Sequence, residues 1–463
     1  MRLTLIHPCI GRRAGDKRYL RTWQMQPLPA AMIAGLTPQD VDVRFYDDRM
    51  EAIPYDEPTD LVAISVETYT ARRAYQIASA YRRRGVPVVM GGFHATLCPD
   101  EVAQYADIVV IGEAEDLWAG IVDDVQAGTW RRRYRAPCRP RLGFARPDRR
   151  IFSGKHYLNV QLVEAGRGCH FRCEFCAIQS FFSGTQNRRP VDAILSEIAD
   201  IGRKRDLYFF VDDNITSNMD DAKEFYRALI PLGIRWVSQA SINAAHDEEF
   251  LDLISRAGCQ GVLIGFESLD RESLRAMGKG FNLMGGGYEK AMANLRRFGI
   301  RLYGTFIFGY DHDTPDSFDA AVDFAMRHRM FIAAFNHLTP FPGTPLYARL
   351  QQEGRLISDA WWLDPDYHYN QLPFRPAKMT PDEVHENCVR ARARFFSLPN
   401  IARRMVDGTN CRTAFMLKTF LATNLMLGRE VFQRDQLPLG DAGCEWPLEP
   451  VGAAGSGEWR NAS

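Results

Sequence analysis

Three cysteines within eight residues, Cys169-His170-Phe171-Arg172-Cys173-Glu174-Phe175-Cys176, constrain this chain more than any other stretch. They follow the apolar run Asn159-Val160-Gln161-Leu162-Val163, with Glu164-Ala165-Gly166-Arg167-Gly168 as the turn between. Four-iron clusters take up to four thiolates, so a loop offering three leaves one iron open to a small molecule. Two other readings compete at this point. Structural zinc needs a fourth ligand, and His170, adjacent to Cys169, is badly placed to close on the same ion. A disulfide would leave an odd thiol and would suit an oxidising compartment.

The first third of the chain alternates short apolar runs with helical patterns. Strands are predicted at 3–7, 41–46, 61–65, 86–90 and 108–111, with helices at 69–84 and 99–105 between the last three. Strands joined by crossover helices form a doubly wound parallel sheet, and such sheets bind ligands beyond the carboxyl ends of their strands. Those ends read Ser65-Val66-Glu67-Thr68, Gly91-Gly92-Phe93-His94-Ala95-Thr96 and Gly112-Glu113-Ala114-Glu115. Paired glycines let a backbone approach a ligand closely, although Gly-Gly after a strand also makes a plain tight turn.

A segment at 127–154, rich in Arg, Pro and Gly, reads as a solvated connector. Beyond it the alternation resumes. Strands are predicted at 159–163, 207–211, 234–239, 261–265, 301–308 and 333–338, and helices at 191–202, 220–232, 247–257, 286–298 and 314–327. Six strand–helix units suit a partial (β/α)6 barrel, whose working groups belong on the loops after the strands. The cysteine loop follows the first of them. Asp212-Asp213 ends the second, Gln239 the third, and Glu267-Ser268 the fourth.

Two stretches resemble known families. Ile64-Ser65 with Thr68, Gly91-Gly92-Phe93-His94-Ala95-Thr96-Leu97-Cys98-Pro99 and Gly112-Glu113-Ala114-Glu115 resemble the B12-binding (cobalamin) type of Rossmann-like domain found in front of many radical S-adenosylmethionine (SAM) enzymes. One departure matters: where the best-known cobalamin domains carry an Asp-x-His-x-x-Gly loop after the first strand, this chain has His7-Pro8-Cys9-Ile10-Gly11. The cysteine loop, together with Phe210-Val211-Asp212-Asp213-Asn214, Gly265-Phe266-Glu267-Ser268, Lys279-Gly280-Phe281-Asn282 and Gly304-Thr305-Phe306-Ile307-Phe308-Gly309, resembles the radical SAM superfamily.

The resemblance implies a [4Fe-4S] cluster on Cys169, Cys173 and Cys176, with SAM on the open iron. SAM would be bordered by Phe175, Asp212, Asp213, Gln239, Glu267 and Ser268, and cobalamin by Ser65, Thr68, Gly91, Gly92, His94, Gly112 and Glu113. It implies reductive cleavage of SAM to a 5′-deoxyadenosyl radical acting on a small-molecule substrate, with cobalamin-dependent C-methylation as the leading reaction. Rearrangement, cyclisation or another carbon-bond reaction without methyl transfer is the alternative. An iron–sulfur sensing or binding protein is the non-enzymatic one. The electron would come from a reductant such as flavodoxin or ferredoxin.

The expected domains are a cobalamin-type domain at 1–140, a linker at 141–157, the barrel at 158–350, a helical and aromatic region at 351–435 and a flexible tail at 436–463. The aromatic stretches around Trp361-Trp362, Tyr367-His368-Tyr369 and Leu372-Pro373-Phe374 are candidates to cover the barrel mouth. Helices are expected at 380–396 and 412–427, the second packed internally. Lys plus Arg equals Asp plus Glu at 57 each, so net charge gives no argument for nucleic acid or a membrane surface. No run of about 18 apolar residues predicts a membrane span. Ten cysteines with no signal-peptide pattern at the start predict a reducing, cytoplasmic setting.

Overall fold

The computed structural model describes residues 1–15, 24–143, 145–433, 436–444 and 446–451. The chain divides into two compact units. The first comprises Met1–His156 with Ala360–Tyr369 and the segment from Leu437; the second comprises Tyr157–Asp359 and Asn370–Gln436.

The first unit is built on a six-stranded sheet. Its strands are β1 (Arg2–His7), β2 (Asp42–Asp47), β3 (Leu61–Ser65), β4 (Val88–Gly91), β5 (Ile108–Ile111) and β6 (Arg133–Arg135). They run in the order β2-β1-β3-β4-β5-β6 with every pair parallel. The order reverses between β1 and β3, which makes that gap the crevice of a doubly wound sheet. β3 and β5 are buried along nearly their whole length, hence their unbroken Val, Ile, Leu and Ala runs. Helix Ala71–Arg82 is buried on almost every side, including Arg73, Gln76 and Ser79, so it carries polar partners inside the unit.

Three expectations change here. The connector contributes β6, whose Tyr134 is buried between two exposed arginines; three residues are too short for a periodic signal. The connector also places Phe152 edge-on against Phe45 at 5.6 Å. Trp361, Trp362 and Tyr367 are buried and belong to this unit rather than to the barrel's own unit. Trp361 packs edge-on against Tyr69 at 5.2 Å, and Trp362 donates its indole N–H to Glu101 at 3.0 Å. The third change is the expected tail. Gly440–Asp441 pairs in parallel with Gly11–Arg12, and Asp441 exchanges two hydrogen bonds with the Gln76 amide at 2.7 and 3.0 Å. The part of the expected tail beyond Val451 lies outside the described residues.

The second unit holds β7 (Val160–Val163), β8 (Leu207–Phe210), β9 (Arg235–Ala240), β10 (Cys259–Glu267), β11 (Leu302–Phe308) and β12 (Ile332–His337). They lie in strict sequence order, all parallel, with β7 and β12 as the two edges. Helices Val191–Ile201, Met219–Leu229, Glu248–Arg256, Gly287–Arg297 and Pro315–Arg327 alternate with the strands. Side chains alternate along each strand. Phe210, Trp236, Phe308 and Phe335 face the helices, in ring contact with Phe225, Tyr226, Phe318 and Phe395. Each such buried side chain contributes about 1.5–3 kcal/mol. The alternate set, Phe209, Val237, Gln239, Leu263, Gly265, Tyr303, Thr305 and Ile307, lines the inner face and stays half-buried. Helix Ala414–Gln433 is not internal throughout: it buries Met416, Phe420 and Asn424 but exposes Leu417 and Leu425.

Candidate functional site

Because all six barrel strands are parallel, their carboxyl ends share one edge, and the cysteine loop opens from the first of them. The loop is held on both flanks. Asp213, past the end of β8, accepts the N–H of Gly168 at 2.7 Å, and Asp212 accepts that of Ala165 at 3.0 Å. Asn214 points its amide at the Cys169 sulfur at 3.5 Å, and Ser217 accepts the His170 N–H at 3.0 Å. On the other flank Glu174 N–H donates to the Met277 carbonyl, and Phe171 stacks on Phe281 at 3.9 Å. A Cβ on Gly278 would come within 2.8 Å of the Arg172 carbonyl, so only glycine lets the loop pass. Glu174 is gripped by Tyr310 and by Arg349, the latter at 2.7 Å.

Cys173 is buried, and burial pushes its thiol up to about 12, opposed by the ammonium of Lys279. Three thiolates here need a strongly cationic partner, which is what an iron–sulfur core provides. Among the described residues no three His, Cys, Asp or Glu side chains close on a single metal ion.

Next to the loop, β10 ends in an unusual turn. Glu267 is buried with φ of +60°, a left-handed conformation that costs a non-glycine residue about 1–3 kcal/mol. One of its oxygens pairs with Lys279 Nζ at 2.6 Å; the other, Oε2, is buried with no hydrogen-bond partner. Gly265 leaves the room for this pair, since a Cβ there would lie 2.1 Å from Glu267 Oε1. Asp212 Oδ1 also lacks a hydrogen-bond partner, with Arg188 3.5 Å away as its ion-pair partner. Burial pushes the Asp212 carboxyl up to about 7. Unsatisfied buried acceptors at one strand edge fit a ligand rich in N–H donors, such as the amino group of SAM.

The expected SAM residues divide accordingly. Asp212, Asp213 and Glu267 stand at the carboxyl edge around the loop, and Gln239 is half-buried on the inner face near the end of β9. Phe175 packs against the apolar core. Ser268 is buried and its hydroxyl accepts the Asp270 N–H at 3.0 Å, so it shapes the turn into the next helix. Asn214, Lys279, Tyr310 and Arg349 were not among the expected site residues. Lys279 lay inside a quoted motif, but nothing local pairs it with Glu267, twelve positions away.

In the first unit, Ser65, Gly91 and Gly92 stand together at the ends of β3 and β4. Gly92 has φ of +97°, and a Cβ on it would approach the Ser65 hydroxyl to 2.9 Å. Gly112, with φ of +91°, follows β5. These strand ends share the carboxyl edge of the sheet, where backbone without side chains suits close approach of a cofactor; Val110, Ser65 and Ala136 fill the space a Cβ would take at Gly91, Gly92 and Gly112. His94 and Thr68, both expected to border cobalamin, bond to each other. His94 is fully buried, bonded to Thr68 Oγ1 at 3.2 Å and Glu101 at 3.0 Å, and so locks the loop from inside. Glu113 is held by Arg139 at 2.7 Å. His7, ending β1, is kept neutral: burial and Arg49 lower it to about 4.

Comparison with known proteins agrees with both halves. Residues 163–325 match the family described as the radical SAM superfamily, and residues 24–122 match the B12 binding domain. The chain is 32% identical to a bacteriochlorophyllide d C-12(1)-methyltransferase of Chlorobaculum tepidum, over 82% of this chain and 84% of that one. It is 28% identical to a hopanoid C-2 methylase of Rhodopseudomonas palustris, over 72% and 66%. In fold it is similar to the radical SAM methyltransferase TsrM from Kitasatospora setae, solved with cobalamin and a [4Fe-4S] cluster. That match has a TM-score of 0.64 at 17% identity and covers 93% of this chain and 99% of that one. The chain therefore belongs to the radical SAM superfamily, in the group that carries a B12-binding domain, and its cofactors are a [4Fe-4S] cluster, SAM and cobalamin.

Proposed function

We propose that this enzyme transfers a methyl group to a carbon atom of a small-molecule substrate. The observation that carries the reading is the coexistence of two features in one chain: the three-thiol loop with its ring of acceptors, and the glycine-bearing strand ends of a doubly wound sheet in the first unit. The relatives named as C-methyltransferases and a C-2 methylase support it. When bound, the three cofactors supply an electron, a hydrogen-abstracting fragment and a methyl carrier.

The chain's own residues do the rest. Cys169, Cys173 and Cys176 hold the cluster, while Asp213 and Glu174 fix the loop that presents them. Asp212 and Glu267 offer carboxylate oxygens to the amino group of SAM, and Gln239 an amide. Ser65, Gly91, Gly92 and Gly112 border cobalamin. The half-buried apolar row of Phe209, Val237, Leu263 and Ile307 excludes water from the inner face and suits a substrate with a large apolar surface. A reductant of the flavodoxin or ferredoxin type supplies the electron.

The test is anaerobic reconstitution with cluster, hydroxocobalamin, SAM and reductant. Formation of 5′-deoxyadenosine and S-adenosylhomocysteine, with a product heavier by one methylene group, is the expected result. Absence of 5′-deoxyadenosine from a fully loaded enzyme would overturn it. A second reading, ring closure without methyl transfer, is favoured by one finding. A relative named as an anaerobic magnesium-protoporphyrin IX monomethyl ester cyclase, from Cereibacter sphaeroides, aligns over 96% of this chain at 23% identity. Nucleoside without S-adenosylhomocysteine, and a product lacking the added methylene, would select it.

A further inference from the structure

The amino ends of the barrel strands, opposite the cysteine loop, carry a surface that the radical chemistry does not use. Helix Ala414–Gln433 lies across this end. Arg301, just before β11, donates to Thr419 at 2.9 Å, and Arg235 of β9 lies over the Phe415 ring at 4.0 Å. Helix Leu398–Met405 joins it, since buried Arg404 reaches the Phe331 carbonyl, just before β12, at 3.1 Å and Asn424 at 2.9 Å.

The outward faces of these helices are apolar. Seven large hydrophobic side chains are exposed among the described residues, and four of them, Leu398, Val406, Leu417 and Leu425, fall between 398 and 425. Leu398 and Val406 are 70% and 72% exposed, far beyond an ordinary half-covered surface residue. Spacing puts them in rows. Leu398, Ala402 and Val406 recur every fourth residue, as do Leu417, Leu421 and Leu425.

Between residues 397 and 433 the exposed charges have one sign, while the nearby run 203–205 has exposed Asp200 before it and Asp206 after it, 3.8 Å from Arg203. Arg403, Arg412, Lys418 and Arg429 are exposed, whereas the acids between 397 and 433, Asp407 and Glu430, are both buried. The exposed run Arg203-Lys204-Arg205 precedes β8 at the same end, and Arg235 ties it to the helix by donating to the Arg205 carbonyl while covering Phe415. The chain as a whole is neutral, so this concentration of cations is local.

We propose that this end of the barrel binds an anionic membrane surface, with the leucine and valine rows entering the headgroup layer and the cations facing lipid phosphates. Apolar side chains projecting among cations fit a lipid interface, where each contributes separately. A nucleic acid would use the cations and leave the exposed leucines in water, and a second copy of this chain would oppose like charges. The face lies at the far end of the barrel from the cysteine loop, so the site stays open while the chain is held at the surface.

The test is flotation of the full chain with vesicles of phosphatidylcholine, alone or doped with phosphatidylglycerol, at low and high salt. Binding to the doped vesicles only, weakened by salt, is expected. Replacing Arg203, Lys204 and Arg205 together with Gln should reduce partitioning on the order of a hundredfold. Replacing Leu398, Val406, Leu417 and Leu425 with Gln should reduce it on the order of tenfold or more. Unchanged cluster absorbance and far-ultraviolet circular dichroism report that each variant is folded. Failure to bind doped vesicles overturns the proposal. So does binding indifferent to the apolar replacements, which marks a general polyanion surface, or a dimer that those replacements dissociate, which assigns the face to a second copy.

Discussion

Asp213 and Gly168 are joined by a hydrogen bond of 2.7 Å, from the backbone N–H just before Cys169 to a carboxylate at the end of the next barrel strand. A charge-assisted bond of this kind contributes about 1.5–3 kcal/mol. Asp213→Ala is therefore expected to loosen the cysteine loop and lower cluster retention. Iron per chain and visible absorbance after anaerobic gel filtration measure it. Asp213→Asn keeps an acceptor and should fall between wild type and Ala; full loading of the Ala variant would refute the tie.

Lys279 and Glu267 form a second pair, at 2.6 Å, with both side chains largely buried. Removing one partner leaves an uncompensated charge at a cost of about 3–5 kcal/mol. Lys279→Met should lower the urea midpoint strongly, and Lys279→Met with Glu267→Gln should lower it by less than the two single losses combined. Additive losses would show that the ions do not act as a pair.

Asp313 gives a pH signature away from the cluster. Its carboxylate accepts the N–H groups of Gly309 and Tyr310 at 3.0 Å, yet burial raises it to about 6 from an ordinary 3.8. A raised carboxyl favours the folded state when protonated. This contribution is full below 3.8 and is lost as the pH rises through about 6. Asp313→Asn should remove up to about 3 kcal/mol of pH dependence across that window. Melting temperatures of the two proteins on either side of the window read the difference, and parallel curves would count against the assignment.

Gly11→Ala tests the docked C-terminal segment. A Cβ at residue 11 would sit 1.8 Å from the Pro438 carbonyl oxygen, which has no room to retreat beside the Gly440–Asp441 pairing. Overpacking of this kind costs about 1–3 kcal/mol. The expected outcome is faster proteolytic cleavage after Gln436 with the cluster spectrum unchanged. Equal cleavage rates would mean that the segment is held by its other contacts, such as Arg83 with Glu449.

Long periodic elements were legible in the sequence because each buries one face of its own residues. Trp236, Phe210 and Tyr226 announce strand and helix by spacing alone. The strand Arg133–Arg135 was not legible, since a single buried Tyr134 between arginines has no period to detect. Within the candidate site, local motifs carry the three cysteines, Asp212 with Asp213, and Glu267. The direction that His94 and Ser268 take was not legible, for a shared reason. A polar residue beside a strand end looks the same in sequence whether it turns toward a ligand or inward, and here Glu101 and Asp270 supply the inward partners.

The sequence by itself determined the chemistry, because three thiols spaced over eight residues after a strand, and glycines at the ends of other strands, are local facts. Only the tertiary structure decided what surrounds that chemistry. Lys279 meets Glu267, Arg349 meets Glu174 across 175 positions, and the segment beyond Gln436 returns to pair with Gly11–Arg12. Such contacts join residues with no common period or motif, and they arise where parallel strands deliver their ends to one edge and distant backbones meet.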